Sequence, residues 1–528
     1  MRRRAAVIAL VALFAAVAVS GLVVPFLPTL PAARGAGPGE ARILVGEPST
    51  FDPRDQSSVN DAAVGAQLHE TLTAYDSALQ LQPALARSWD IAADGTSVTF
   101  HLRENLRFSD GSPLRARDVV GSWLRLLDPR RPSPLVSLLL DVRGARNYVL
   151  GRETDPSTVG FRAEGDLDVV VDLERPGADF PAIVSAPIFG VVALPIWQDG
   201  QDLFGPGAPV SGGYQVESAG SREIVLTRNE QYWAGPPAIP TIRLVLDIDG
   251  RSPVAAFEAG DLDHTDISVI DAPWIPYDPN LGPHLREVRS LDLTYLGINT
   301  RTEPFDDVRV RQALGAAVDW TRLVSLSSLV GQVPATSMVP PGIPGGGDRN
   351  WLPAYDPDRA RELLAEAGHP GGTGLPRIEF AVGGYAAGEA IKVELERELG
   401  MRVELVNYDD HLGRIDTAPP NLWISGWIAD YVGPNDFLGV LLESDSSNNY
   451  GGWSSTAFDA AIADALATRD PEAATGAYER ALAEIQREVP IVPLYHSTNW
   501  SLSREGLLGA GDNGMGILRM AGMAWAAK

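Results

Sequence analysis

The stretch from Gly426 to Leu438, GWIADYVGPNDFL, holds the residues best suited to recognition chemistry. Trp427 is followed three residues later by Asp430, with Tyr431 beside it. An acid between two aromatic faces suits a cation. The carboxylate offers a charge-assisted hydrogen bond, and the rings keep water away. Leu422, Trp423 and Ile424 read as a short apolar strand. Gly433-Pro434-Asn435 reads as a turn, because Gly tolerates unusual dihedrals and Pro fixes its own. Asp430 is therefore expected on a loop just past a strand end. The blander reading is a surface turn whose acid only caps or is solvated.

Composition narrows the remaining chemistry. The chain has 528 residues, enough for two to four domains. Its formal net charge of −25 makes nucleic acid and anionic membranes poor partners. There is no cysteine, which removes disulfides, thiolate metal sites, thiol catalysis and lipid attachment to a cysteine. Lysine occurs only at Lys392 and Lys528. No G-x-S-x-G elbow, H-E-x-x-H pair or P-loop is found. The histidines, His69, His101, His264, His284, His369, His411 and His496, form no close pair at ligand spacing. No cofactor, metal or catalytic residue is expected, and binding remains.

The elements that must position the loop are legible in order. Arg2-Arg3-Arg4 precede an apolar run from Ala5 to Val24 and a small-residue exit, the pattern of an export signal. The run is also long enough to stay as a membrane anchor. Residues 1–39 are thus expected to be a signal or anchor plus linker, and the body to be extracytoplasmic. A helix is expected over Asn60–Leu72, and a strand where Val98, Phe100 and Leu102 alternate after the Asp94-Gly95 turn. Ala116 to Leu127 reads as a helix with Val119, Val120, Trp123 and Leu127 on one stripe. Asp306 or Asp307 is a cap for the helix from Val308. The strand-helix-strand order from Ile378 to Val406 predicts a partly parallel sheet. Thr456 with Asp459 reads as a capping box. Asp470-Pro471 opens a helix ended by Pro490, and Ile491 to Tyr495 is a strand that crosses back.

Several collinear blocks carry a family resemblance. They are LARSWDIAADGTSVTFHLRENLRFSDGSPLRARDVVGSWLRLLDP from Leu85, the G-Y-x-V…L-x-R-N-x-x-Y-W text from Gly213 to Trp233, LDLTYLGINTRTEPFDDVRVRQALGAAVDWTRL from Leu291, and the W-x-x-D-Y loop at Trp427. Together they resemble the oligopeptide- and dipeptide-binding type of solute-binding protein family 5 of ABC importers, over about Ile43 to Met520. The resemblance implies an α/β, two-lobed fold of the periplasmic-binding-protein type (class II, cluster C) with an extra subdomain. It implies a monomer that closes on an oligopeptide and delivers it to an ABC permease and its ATPase subunits, without catalysis.

By the same resemblance, Asp430 takes the ligand's α-ammonium, Trp427 and Tyr431 flank it, and Ser425 and Gly426 offer backbone. Val59 stands at a strand contact to ligand, and Tyr495 lines the site. Ser57, Leu135 and Ile424 stand where the oligopeptide branch has an acid, a tyrosine and an arginine; Arg414 is a substitute for the last. The expected division is 40–69, 195–289 and 498–528 for the first lobe, 70–194 for the extra subdomain and 290–497 for the second lobe. Two other functions compete: the same fold on a metal chelate, opine or oligosaccharide, and a secreted hydrolase.

Overall fold

Alternation becomes sheet where it is expected. In the strand Ser97–Leu102 every second residue, Val98, Phe100 and Leu102, is buried. The structure is a computed structural model, and it describes residues 39–193, 204–327, 331–343, 349–511 and 513–527. The basic-apolar start lies outside the described residues. Ser97–Leu102 belongs to a four-stranded antiparallel sheet, in the order Ala86–Ile91, Ser97–Leu102, Asp168–Asp172, Phe161–Glu164. The helix Ala116–Leu126 lays Val119 and Trp123 against it. The Trp123 ring is met edge-on by Phe161 and Phe189, with centroids 5.4 and 5.7 Å away. These elements have their own apolar core and form an insert beside two larger sheets.

The first larger sheet has seven strands gathered from distant parts of the chain. Their order is Leu285–Arg289, Thr498–Ser503, His264–Ile267, Glu40–Leu44, Thr241–Val245, Glu223–Arg228, Tyr214–Ala219. The second has six, in the order Val333–Pro334, Ile491–His496, Asp292–Ile298, Leu422–Ile428, Arg377–Ala381, Arg402–Val406. Arg377–Ala381 and Arg402–Val406 pair in parallel around the helix Ala387–Leu399, as the strand-helix-strand order requires. The second sheet is covered on both faces. Leu296, Ile298, Leu422 and Ile424 point into one core, and Leu293 and Tyr295 into another beneath the helices Thr456–Ala467 and Pro471–Glu488.

Two crossovers join these sheets. Leu285–Arg289 runs into Asp292–Ile298, and Ile491–His496 runs into Thr498–Ser503. They lie side by side and are tied together. The Ser290 amide donates to the Ser497 carbonyl at 3.0 Å, and the Ser497 amide to Asp292 Oδ1 at 2.7 Å. Two short, hydrogen-bonded segments between rigid sheets are the physical form of a hinge.

Helix ends show where local signals compete. Asp307 caps Val308–Ala317 by accepting from the Arg309 amide, and Asp470 caps Pro471–Glu488. The helix Thr456–Ala467 is capped by Ser455, one residue before the expected Thr456. Asp459 does not complete a box there, because the amide and hydroxyl of Ser444 take its carboxylate. The first helix is Val59–Leu68, not Asn60–Leu72. Its start is fixed by a capping box between Ser58 and Asp61, and it ends where His69 turns extended.

Candidate functional site

Between the insert and the second lobe runs a seam of polar contacts. Arg175 of the insert reaches Glu443 Oε2 and Asp141, both at 2.8 Å. Arg146 meets Asp445 at 2.9 Å, and the Val432 amide donates to Tyr75 Oη at 3.2 Å. The loop after the strand Leu422–Ile428 lies on this seam. It folds back on itself, so that Asp436 Oδ2 accepts from the Asp430 amide at 3.1 Å and from Trp427 Nε1 at 3.2 Å. Asp436 is wholly buried and Asp430 half-buried. Oδ2 of Asp430 and Oδ1 of Asp436 are enclosed with no hydrogen-bond partner among the described residues. Among the described residues no cationic side chain pairs with either acid.

Burial pushes the Asp430 carboxyl up to about 7. Asp436 is raised well above the ordinary carboxylate range by burial, then by the charge of Asp430. The two titrate as a pair that resists carrying both charges. Enclosed acceptors without donors are costly, and they are rare unless something else supplies the donor. An ammonium does so while repaying the desolvated charge.

Tyr431 is fully enclosed in the insert's core, its hydroxyl donating to Asp179 Oδ2 at 2.8 Å. Asn435 Nδ2 donates to the same hydroxyl at 3.0 Å. Trp427 is half-buried, Gly426 exposed and the Ser425 side chain buried. Leu422–Ile428 pairs along its whole length with Asp292–Ile298. Among the described residues its other edge is paired only at Leu422 and Trp423, with no neighbouring strand from Ser425 onward. Tyr495 is buried in the second lobe's core, opposite Thr294. Ile424 is buried there too, and Arg414 is turned to Glu379 at 3.4 Å.

A cavity of about 660 Å³ opens at the hinge. It is walled by the ends of the first-lobe strands, by Ser290, Asp292 and Ser497 of the crossovers, and by Ile428. Val59 also lines it and is 43% exposed. It does so from the first turn of a helix, at the end of the loop expected to contact ligand, because the Ser58–Asp61 box starts the helix there. Val59 and Ile428, the last residue of the strand that leads into the Asp430 loop, both line this cavity. Asp436 and Asp179 were not singled out in the sequence. The available signal for Asp436 was a second acid six residues after Asp430; none pointed to Asp179.

The family model for bacterial extracellular solute-binding proteins, family 5, matches residues 80–449. This chain belongs to that family. Among similar members is the periplasmic oligopeptide-binding protein OppA of Salmonella typhimurium, 30% identical over 475 residues, 86% of each chain. The probable deoxycholate-binding periplasmic protein YgiS of Escherichia coli is 29% identical over 467 residues, 85% of this chain and 86% of its own. The murein tripeptide-binding protein MppA of Escherichia coli superposes with a TM-score of 0.78 at 24% identity, covering 93% of this chain and 99% of its own. The two-lobed fold is therefore that of the family 5 solute-binding proteins.

Proposed function

We propose that this protein is an extracytoplasmic receptor that captures a peptide between its lobes and delivers it to an ABC permease. The observation that carries this reading is the enclosed Asp430 acid without a partner, set just beyond an unpaired strand edge. A peptide supplies both complements. Its α-ammonium meets Asp430, and its extended backbone adds to the edge at Ser425 and Gly426. Trp427 holds the loop through Asp436, Tyr431 anchors it to the insert, Val59 faces the ligand across the cavity, and Tyr495 supports the strand from within the core. No catalytic step is needed.

Relatives named for oligopeptides and a murein tripeptide support a peptide ligand. Periplasmic relatives support a place outside the cytoplasm. Among the described residues no helix is long and apolar enough to cross a membrane. We assign 40–69, 195–289 and 498–528 to the first lobe, 70–194 to the insert and 290–497 to the second lobe. Mass spectrometry of ligands released from the protein purified from its own cells tests the function. Peptides with free amino termini are expected. A stoichiometric non-peptide solute would overturn the reading, and so would cleavage of added peptides.

A further inference from the structure

The hinge cavity has an open end and a closed one. Val59 and Ile428 in its wall are exposed, whereas Ile43 and His264 are buried. At about 660 Å³ it has room for part of a ligand's body, since sites of roughly 300–1,000 Å³ enclose most of a small ligand. Most of the wall surface is apolar, Ile267 and Trp500 included. His264 is held at the closed end by the strand His264–Ile267, which lies between Glu40–Leu44 and Thr498–Ser503. Its Nδ1 is enclosed and has no hydrogen-bond partner among the described residues. A polar group shut away from water without a partner is costly and uncommon. The χ2 profile of a histidine is roughly two-fold, so a half-turn presents either edge of the ring to the cavity. Burial holds the imidazole down to about 4. At neutral pH the ring is therefore uncharged, with one nitrogen that donates and one that accepts.

We propose that His264 is a specificity residue: its ring accepts a hydrogen bond from the phenol of a tyrosine side chain of the ligand, seated in this cavity. The proposal rests on the reading of the protein as a peptide receptor. Ile428 precedes Asp430 by two residues, which sets the cavity near the place proposed for the ligand's amino terminus. A tyrosine lays an apolar ring against Ile267 and Trp500 and carries a donor at its tip, and a buried phenol hydroxyl needs a partner. The imidazole supplies that partner and gains the one it lacks. Phenylalanine fills the same wall and leaves the imidazole as it was.

Ligand-free full-length protein is titrated by calorimetry with peptides of one length on an alanine background. Each carries a single Tyr or a single Phe, moved through the positions in turn. At one position Tyr is expected to bind about three- to tenfold tighter than Phe, the effect of one hydrogen bond between neutral groups. In His264→Phe, which keeps a ring there without its nitrogens, that ratio is expected to fall to near one, because both changes remove the same contact. Wild-type protein labelled with nitrogen-15 gives a second readout that needs no variant. The ring nitrogens of His264 are expected to shift with the Tyr peptide by more than with the Phe peptide. Phe binding as tightly as Tyr at every position would overturn the proposal and leave the peptide reading standing. So would an undiminished Tyr preference in His264→Phe, or ring nitrogens that respond alike to both peptides. A protein that binds none of the peptides would refute the peptide reading, and the proposal with it.

Discussion

With the ligand's ammonium on Asp430, as proposed, the paired acids on the seam make ligand affinity depend on pH in a calculable way. Burial puts the Asp430 carboxyl at about 7 in the empty protein. An ammonium needs the ionised form, so at lower pH binding must first expel a proton. With one proton released, affinity falls by up to a decade per pH unit below that value. About one molecule in a hundred is ionised at pH 5 and about half at pH 7, so binding weakens about fiftyfold between them, or about 2.3 kcal/mol. Above roughly pH 8 the peptide's own amine loses its proton, and affinity falls again.

The same shift acts on stability. The Asp430 pKa is raised from 3.8, so the folded empty protein keeps a proton that the unfolded chain has released. The stabilisation is complete below about 3.8 and is lost as the pH rises through about 7. The thermal shift produced by ligand therefore grows from pH 5 to pH 7. Asp430→Asn removes the titrating group and should flatten both curves. Asp436→Asn should keep them, since its amide oxygen still accepts from the Asp430 amide and Trp427 and it is neutral, as the protonated acid is. Calorimetry across pH 5–8 in buffers of different ionisation enthalpy counts the proton directly. A wild-type affinity that is flat from pH 5 to 7, or the same slope in Asp430→Asn, would refute the reasoning.

Two further outcomes follow from the seam and the entry loop. Arg175→Ala leaves Glu443 enclosed without its cation. Because the arginine is partly exposed, the expected loss is about 1–2 kcal/mol, seen as roughly tenfold faster ligand release in stopped-flow experiments. Asp61 is buried, and burial alone would raise its carboxyl. The hydroxyls of Ser58 and Ser49 and the amides of Ser49 and Ser57 outweigh this and hold it below its ordinary 3.8. Its stabilisation is therefore present above about 3.8 and lost as the pH falls through its lower folded value. Asp61→Ala should cost about 2–4 kcal/mol in urea unfolding, because it removes a helix cap and frees the loop that ends beside Val59.

Much of the frame was legible because it is local. Alternation at Val98, Phe100 and Leu102, the Asp307 and Asp470 caps, and the strand-helix-strand order from Ile378 to Val406 each depend on neighbours in the chain. Where two local signals compete, position is lost by a residue or more. Ser455 and Thr456 are both able caps, and only the distant Ser444 decides what Asp459 does. The loop at Asp430 was legible as a strand end followed by a turn that carries an acid suited to a cation, but the contacts that hold that acid were not. That Asp436 returns to the Trp427 indole is a matter of how the turn closes. That Tyr431 meets Asp179 depends on an insert some 250 residues away. The cavity was beyond reading for the same reason, since its wall draws on segments from Ile43 to Met520.

In the proposed complex Asp430 receives the ligand's amino terminus. The direct measurement is a cycle of two changes in calorimetry at pH 7: Asp430→Asn in the protein and acetylation of the peptide's amine. Hydrogen bonds to charged groups contribute roughly 1.5–3 kcal/mol, so each change alone should weaken binding by about tenfold to a few hundredfold. Applied together they should cost little more than either one, because both remove the same contact. Wild-type affinity in Asp430→Asn, or an acetylation penalty as large in the variant as in the wild type, would place the amino terminus elsewhere and contradict the account.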